Sequence, residues 1–137
     1  MTTRQMLETL QASLEARLPG WTVYPYPVPT AAHRQATMAV LQATATTYRY
    51  ASPGVQGVIS IVLTVSTAGG ADAYYELMDA LDAVVSALYE SQADLGAGEV
   101  SLMEPGAPEV DVAVDQDGAT ASYWRADVRV PFLRRLA

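Results

Sequence analysis

The chain contains no cysteine, no lysine and no asparagine, and it has a single histidine and a single phenylalanine. Without cysteine there is no disulfide, no thiolate nucleophile and no cysteine-based zinc site, which fits a reducing compartment. With lysine missing, all eight basic residues are arginine, and fifteen acids against them give a net charge of −7. A chain with that balance repels a phosphate backbone on average, which disfavours general nucleic-acid binding. The missing lysine and asparagine, beside abundant alanine, are the bias a GC-rich genome produces. Long apolar runs are absent too. The longest, Val58 to Val65, is interrupted by Ser60 and Thr64, far short of the ~20 residues a membrane helix needs. The start of the chain has no basic region leading into an apolar core, the mark of a signal peptide. The expectation is a soluble protein of the cytoplasm, without membrane contact.

What is present points to one packed domain spanning residues 1–137. Half of the residues are hydrophobic and 17% are charged, enough for a chain of this length to bury roughly 68% of its unfolded surface. The clearest segment is Asp72 to Leu95. Tyr74, Leu77, Met78, Leu81, Val84, Val85 and Leu88 recur at three- and four-residue steps, the spacing of one helical face. Gly69-Gly70 stops the preceding strand, Asp72 stands where a cap belongs, and Gly96 closes the helix. An earlier helix is predicted over 3–18. Thr2 and Gln5 have capping-box spacing, Met6, Leu7, Leu10, Leu14 and Leu18 form its stripe, and Pro19-Gly20 ends it.

The strands follow from alternation and from turn residues. Trp21 to Tyr26 reads as a short strand, and Pro25, Pro27 and Pro29 then force an extended loop or edge up to Gln35. A long strand over 36–50 is expected to bend near Ala43 or Thr44, with Ser52-Pro53-Gly54 as the turn after it. Val58 to Ser66 is the central strand, placing Ile59, Ile61, Leu63 and Val65 on one face. A short strand, Val100 to Met103, sits in a Gly/Pro-rich stretch. The chain then closes with a hairpin around Asp117-Gly118, whose return strand puts Trp124, Ala126, Val128, Val130 and Phe132 on one side and Tyr123, Arg125, Asp127 and Arg129 on the other. Single-face alternation of this length predicts an α+β fold, a mostly antiparallel sheet with two helices on one face and a C-terminal β-hairpin.

No pattern of catalytic residues stands out. His33, the lone histidine, lies in the proline-rich loop with no partner marked for general-base work, and reads as a solvated loop residue. Serine hydrolysis has no G-x-S-x-G elbow. Asp111, Asp115 and Asp117 before Gly118 suggest a calcium loop, but Ala113 and Trp124 would occupy the first and twelfth positions, where carboxylates belong. Gly54-Val-Gln-Gly57 has the spacing of an RNA clamp without basic neighbours, and Gly96-Ala-Gly98 follows a helix where a dinucleotide fingerprint must precede one. Both read as turns. The sequence predicts no enzyme, no metal and no cofactor.

Surface remains. Arg125 and Arg129 fall on the outer face of the last strand, with Arg134 and Arg135 just beyond it, while acids concentrate on the long helix and the hairpin. Such bipolarity suits head-to-tail contact between identical subunits. The alternative is ordinary solubilising charge, since exposed pairs are worth only ~0–1 kcal/mol each. Tyr24, Tyr26, Tyr48 and Tyr50 around the proline-rich loop add the amphipathic area that interfaces favour, unless the core takes some of them.

In element order the chain resembles the tail terminator proteins of bacteriophages with long, non-contractile tails. The resemblance runs from the first helix ending at Leu18-Pro19-Gly20 through Val23-Tyr24-Pro25-Tyr26-Pro27, the tyrosine-bearing strand, Val58 to Ser66, Gly69-Gly70 and the long helix. The terminal Tyr123-Trp124-Arg125-Ala126-Asp127-Val128-Arg129-Val130 completes it. It implies a homo-oligomeric ring, commonly a hexamer, at the head-proximal end of a virion tail and assembled in the host cytoplasm. Such a ring caps the tail tube, ends polymerisation of the tube protein and presents a docking surface to the head or neck connector. DNA would pass through its lumen without sequence-specific binding. A different head–tail connector of the same virion is the alternative, and a small ligand-binding domain is a third.

Overall fold

The computed structural model describes residues 2–48, 52–91, 100–102, 109–117 and 121–135. In chain order these form α1 (Thr3–Arg17), β1 (Thr22–Tyr24), β2 (Gln35–Tyr48), β3 (Ser52–Ser66), a 3-10 turn (Thr67–Gly69), α2 (Gly70–Ser91), β4 (Val100–Leu102), β5 (Glu109–Asp117) and β6 (Ala121–Arg135). The described strands make a sheet ordered β1-β2-β3-β6, with β4 and β5 both pairing on the far edge of β6. Only the β1–β2 pairing is parallel. The fold is α+β, as the alternation predicts.

Both helices cover one face of this sheet. Ala36 and Met38 from β2, Ile59 to Val65 at alternate positions of β3, and Ala126, Val128, Val130 and Phe132 of β6 point into a common core with Met6, Leu10 and Leu14 of α1 and Leu77, Val84 and Leu88 of α2. Each large apolar side chain buried this way contributes about 1.5–3 kcal/mol. Strand alternation leaves Gln35, Thr37, Ser60, Val62, Thr64, Arg125, Asp127 and Arg129 on the opposite face, which no described helix covers. The N-terminal capping box is present. Thr2 Oγ1 accepts from the Gln5 amide at 3.1 Å and Gln5 Oε1 accepts from the Thr2 amide at 2.8 Å. Helix α1 packs on α2 and on edge strand β1, where Gln11 Nε2 donates to the Val23 carbonyl at 3.1 Å.

Several sequence expectations shift. Helix α2 begins at Gly70, so Asp72 lies inside the first turn, where its carboxylate faces the positive end of the helix dipole, and is not the cap. The preceding 3-10 turn is capped by Ser66, whose hydroxyl accepts from the Ala68 amide at 3.2 Å. The buried stripe of α2 is Ala73, Leu77, Ala80, Val84, Ala87, Leu88 and Ser91. Small residues at every seventh position let the helix sit close, and this turns Tyr74 out of the core to 37% exposure, edge-on to Trp124 with ring centroids 5.5 Å apart.

Ser52-Pro53-Gly54 is strand, not turn, because the β2–β3 hairpin runs on to the pair Tyr48–Ser52. Pro53 lies at the start of β3, where no described residue of β6 stands opposite it; the last such pair is Gly54–Arg135. Gly57 is strand as well. The β2–β3 register slips by one residue between Leu41 and Thr44, at a bulge where Gln42 adopts φ 53°. A Cβ on Gly57, facing that bulge, would meet the Leu41 carbonyl oxygen at 2.9 Å and the Phe132 ring at 3.1 Å. The predicted bend near Ala43 is this bulge. The extension of α2 to Leu95 with its Gly96 stop, Gly96-Ala-Gly98, Met103, Tyr50 and Gly118 of the last hairpin lie outside the described residues.

Pro131 interrupts what would be a continuous ladder. On the far edge of β6 the β5 pairing ends with Glu109 opposite Arg129, and the β4 pairing begins with Leu102 opposite Phe132. The proline falls in that interval, where no described strand asks for its missing N–H.

Candidate functional site: the uncovered sheet face

The open face of the sheet carries the polar residues of β2, β3 and β6 beneath the loop 25–34. Ser60, 5% exposed, donates from Oγ to Asp127 Oδ1 at 2.7 Å, crossing from β3 to β6. The second carboxylate oxygen of Asp127 accepts from Arg129 Nη2 at 3.1 Å and Nε at 3.2 Å. Thr64 donates to the Ala32 carbonyl at 2.7 Å, and His33 Nδ1 accepts from the Ser66 amide at 3.0 Å, so two bonds pin the end of the loop to β3. Arg34 adds a bidentate ion pair to Glu76 of α2.

Between this loop and the strands opens a cleft of about 270 Å³, lined by Pro27, Pro29, Gln35, Thr37, Val62 and Arg125 among others. Gln35 is 4% exposed, and its Oε1 has no hydrogen-bond partner among the described residues. Among the described residues the lining holds no carboxylate and does not include His33, which is exposed and engaged with Ser66. Among the described residues no group of three or more histidine or acidic side chains is placed to hold a metal ion. No described helix is long and apolar enough to cross a membrane.

The candidate interface residues separate into distinct places. Arg125, half-buried, Arg129 and Arg135, both exposed, stand in one row on the open face with Asp127 between the first two. Arg134 does not join them. Beta alternation turns it to the inner face beside Phe132, where it is 7% exposed, so it is a buried side chain rather than part of an outer basic patch. Tyr24, half-buried, and exposed Tyr26 pack ring on ring, centroids 5.6 Å apart, and Tyr26 borders a depression against Arg4, Leu7 and Glu8 of α1. Tyr48 is remote from them. It ends β2 eleven residues past Thr37, the partner of Tyr24, roughly 36 Å along the strand.

Sequence reasoning missed two features. One is the Ser60–Asp127–Arg129 network; hydroxyls on the outer positions of β3 were visible, but their opposition to charged β6 residues needs the strand register. The other is the exposed face of α2. Tyr75 is 64% exposed and Tyr89 68%, in line with Asp72, Asp79 and Asp82.

No protein-family model matches the chain, and no curated protein matches it by sequence. Among solved structures, the fold is shared with a chain from the virion of a native gene transfer agent (GTA) particle. The likeness has a TM-score of 0.56 and 16% sequence identity and covers 97% of this chain and 94% of that one. At that identity the correspondence is one of fold.

Proposed function

We propose that this protein is a structural component of a phage-like virion, and within it the ring that caps the tail tube, stops tube polymerisation and receives the head or neck connector. The observation that carries the reading is the fold shared, nearly end to end, with a chain of a GTA virion. The surface supports it. Arg125, Arg129 and Arg135 stand on the open sheet face, and Asp72, Asp79 and Asp82, without ion-pair partners among the described residues, lie on the exposed side of α2, so the two sides of the subunit are unlike. A heterologous contact between such surfaces closes into a ring when the rotation allows, commonly six subunits in the family the sequence resembles. Its partners are other copies of itself, the tube protein and the connector. DNA passes through the lumen, where a net charge of −7 per chain favours sliding over sticking.

The test is a deletion in the parent particle combined with cryo-EM localisation. Loss of a terminator leaves overlong tails, and label on the protein sits at the head-proximal end of the tube. Tails of normal length beside unjoined heads would instead assign the protein to another head–tail connector. Native mass spectrometry with tube protein present reports the ring, and a strictly monomeric species there would count against it.

A further inference from the structure

The charges that internal pairing leaves over lie at two separate places. Of the described arginines, Arg4 bonds to Glu8, Arg17 to Glu90, Arg34 to Glu76 and Arg129 to Asp127, and Arg125 and Arg134 are engaged as well. Arg135 alone among them has no side-chain partner among the described residues, and it is exposed at the end of β6, opposite Gly54. On α2 the pairs above take Glu76 and Glu90. Asp72, Asp79 and Asp82 are exposed there and have no ion-pair partner among the described residues.

Tyr75 is the point on α2 best built to receive a cation. It is 64% exposed, and Asp72 and Asp79 flank it one turn away on either side of the same helical face. Tyr74 braces its ring edge-on, with 5.9 Å between centroids, and itself rests against Trp124. A guanidinium laid on such a ring gains cation–π attraction, and its fork of N–H groups reaches the carboxylates beside it. Tyr89 is equally exposed but lacks this setting. One turn before it stand Val85 and Ser86, and Glu90 beside it is held by Arg17.

Arg135 cannot serve Tyr75 of its own copy. Trp124, which supports the two tyrosines, lies eleven residues before Arg135 on β6, roughly 36 Å of extended strand. We propose that Arg135 of one copy stacks on Tyr75 of the next, with its guanidinium between Asp72 and Asp79. A second copy is the occupant because it brings the one described cation that internal pairing leaves over, and brings it exposed at a strand end. The two surfaces differ, so the contact is head-to-tail and leaves a free Arg135 at one end and a free Tyr75 at the other. A charge contact of this kind fixes partner and register more than affinity. The pair thus sets the register of the ring proposed above; closure into a ring rests on that reading, and the docking itself does not.

The absence of cysteine makes the contact directly readable. Full-length Ala71→Cys, one turn before Tyr75, is mixed with full-length Leu133→Cys, on the same face of β6 as Arg135, and treated with a short bismaleimide, alone and with tube protein present. The expected result is several-fold more mixed cross-link than Ser86→Cys gives with the same partner. Tyr75→Ala added to the first chain, or Arg135→Gln added to the second, is expected to remove that excess. Asp72→Arg with Asp79→Arg in the first chain, or Arg135→Glu in the second, also removes it, and the two combined restore it. All of these positions are exposed or half-buried, and circular dichroism melts verify that each variant is folded. Equal yields for the two cysteine pairs in both settings overturn the proposal, as does an excess that survives Tyr75→Ala. Capture of Ala71→Cys by another virion protein alone overturns it equally. A cross-linked open chain supports the docking and sinks the ring; a ring that forms without the cross-link does the reverse.

Discussion

Ser60 and Asp127 are joined across the middle of the sheet by a 2.7 Å hydrogen bond on the face the helices leave open, between two residues that are both buried. Ser60→Ala removes a charge-assisted bond and leaves Asp127 with Arg129 alone. The expected cost is about 1.5–3 kcal/mol in urea unfolding. Asp127→Ala should cost at least as much, and the double variant less than the sum of the two. Strict additivity would mean that the bond does not form in solution.

Gly57→Ala forces a Cβ to within 2.9 Å of the Leu41 carbonyl oxygen, a backbone atom that cannot swing aside. The expected destabilisation is roughly 1–3 kcal/mol, with the bulge shifted or lost. Urea melts give the energy, and altered amide shifts at Gln42 and Ala43 would give the site.

Reversing Arg125 and Arg129 together to Glu is expected to abolish ring assembly while the monomer still folds, read by native mass spectrometry and a thermal melt. Arg129 bonds to Asp127, so a glutamate there sets like charges together and lowers the melting temperature somewhat. Arg129→Gln separates the two effects. It should keep the melt near wild type, and unchanged assembly in the double reversal would return both arginines to ordinary surface charge.

Arg17 with Glu90 and Arg34 with Glu76 are exposed ion pairs that tie α1 and the loop to α2. Arg17→Ala should cost no more than about 1 kcal/mol, an effect that fades in high salt. Arg34→Ala should likewise be mild in global stability. Its signature is faster amide exchange in the loop ending at β2, since Thr64, His33 and the backbone bond from the Thr22 amide to the carbonyl of residue 34 then hold it.

The sequence was most legible where one residue type decides local geometry. The Thr2–Gln5 box, the two helices, the alternation of β3 and β6 and the bend near Ala43 all follow from spacing and chirality. Legibility ended where a second segment decides. Pro53 and Gly57 look like turn residues until the opposing strand is known, whereas Arg134 shares the parity of Val130 and Phe132, and its inward facing follows once the strand is carried past Pro131. Tyr74 and Tyr75 are neighbours on a helix, and only packing against Trp124 decides which of them points away. The cleft was out of reach for the same reason, because residues 27 to 125 meet there only through register.

The position of Pro131 means that the far side of the sheet is a seam in two lengths. The described pairs of β5 end at Arg129 and those of β4 begin at Phe132, so that edge of β6 is held in two separate registers. If β5 lifts, it bares one edge of residues 121–129, the same run that carries Arg125 and Arg129 on its open face.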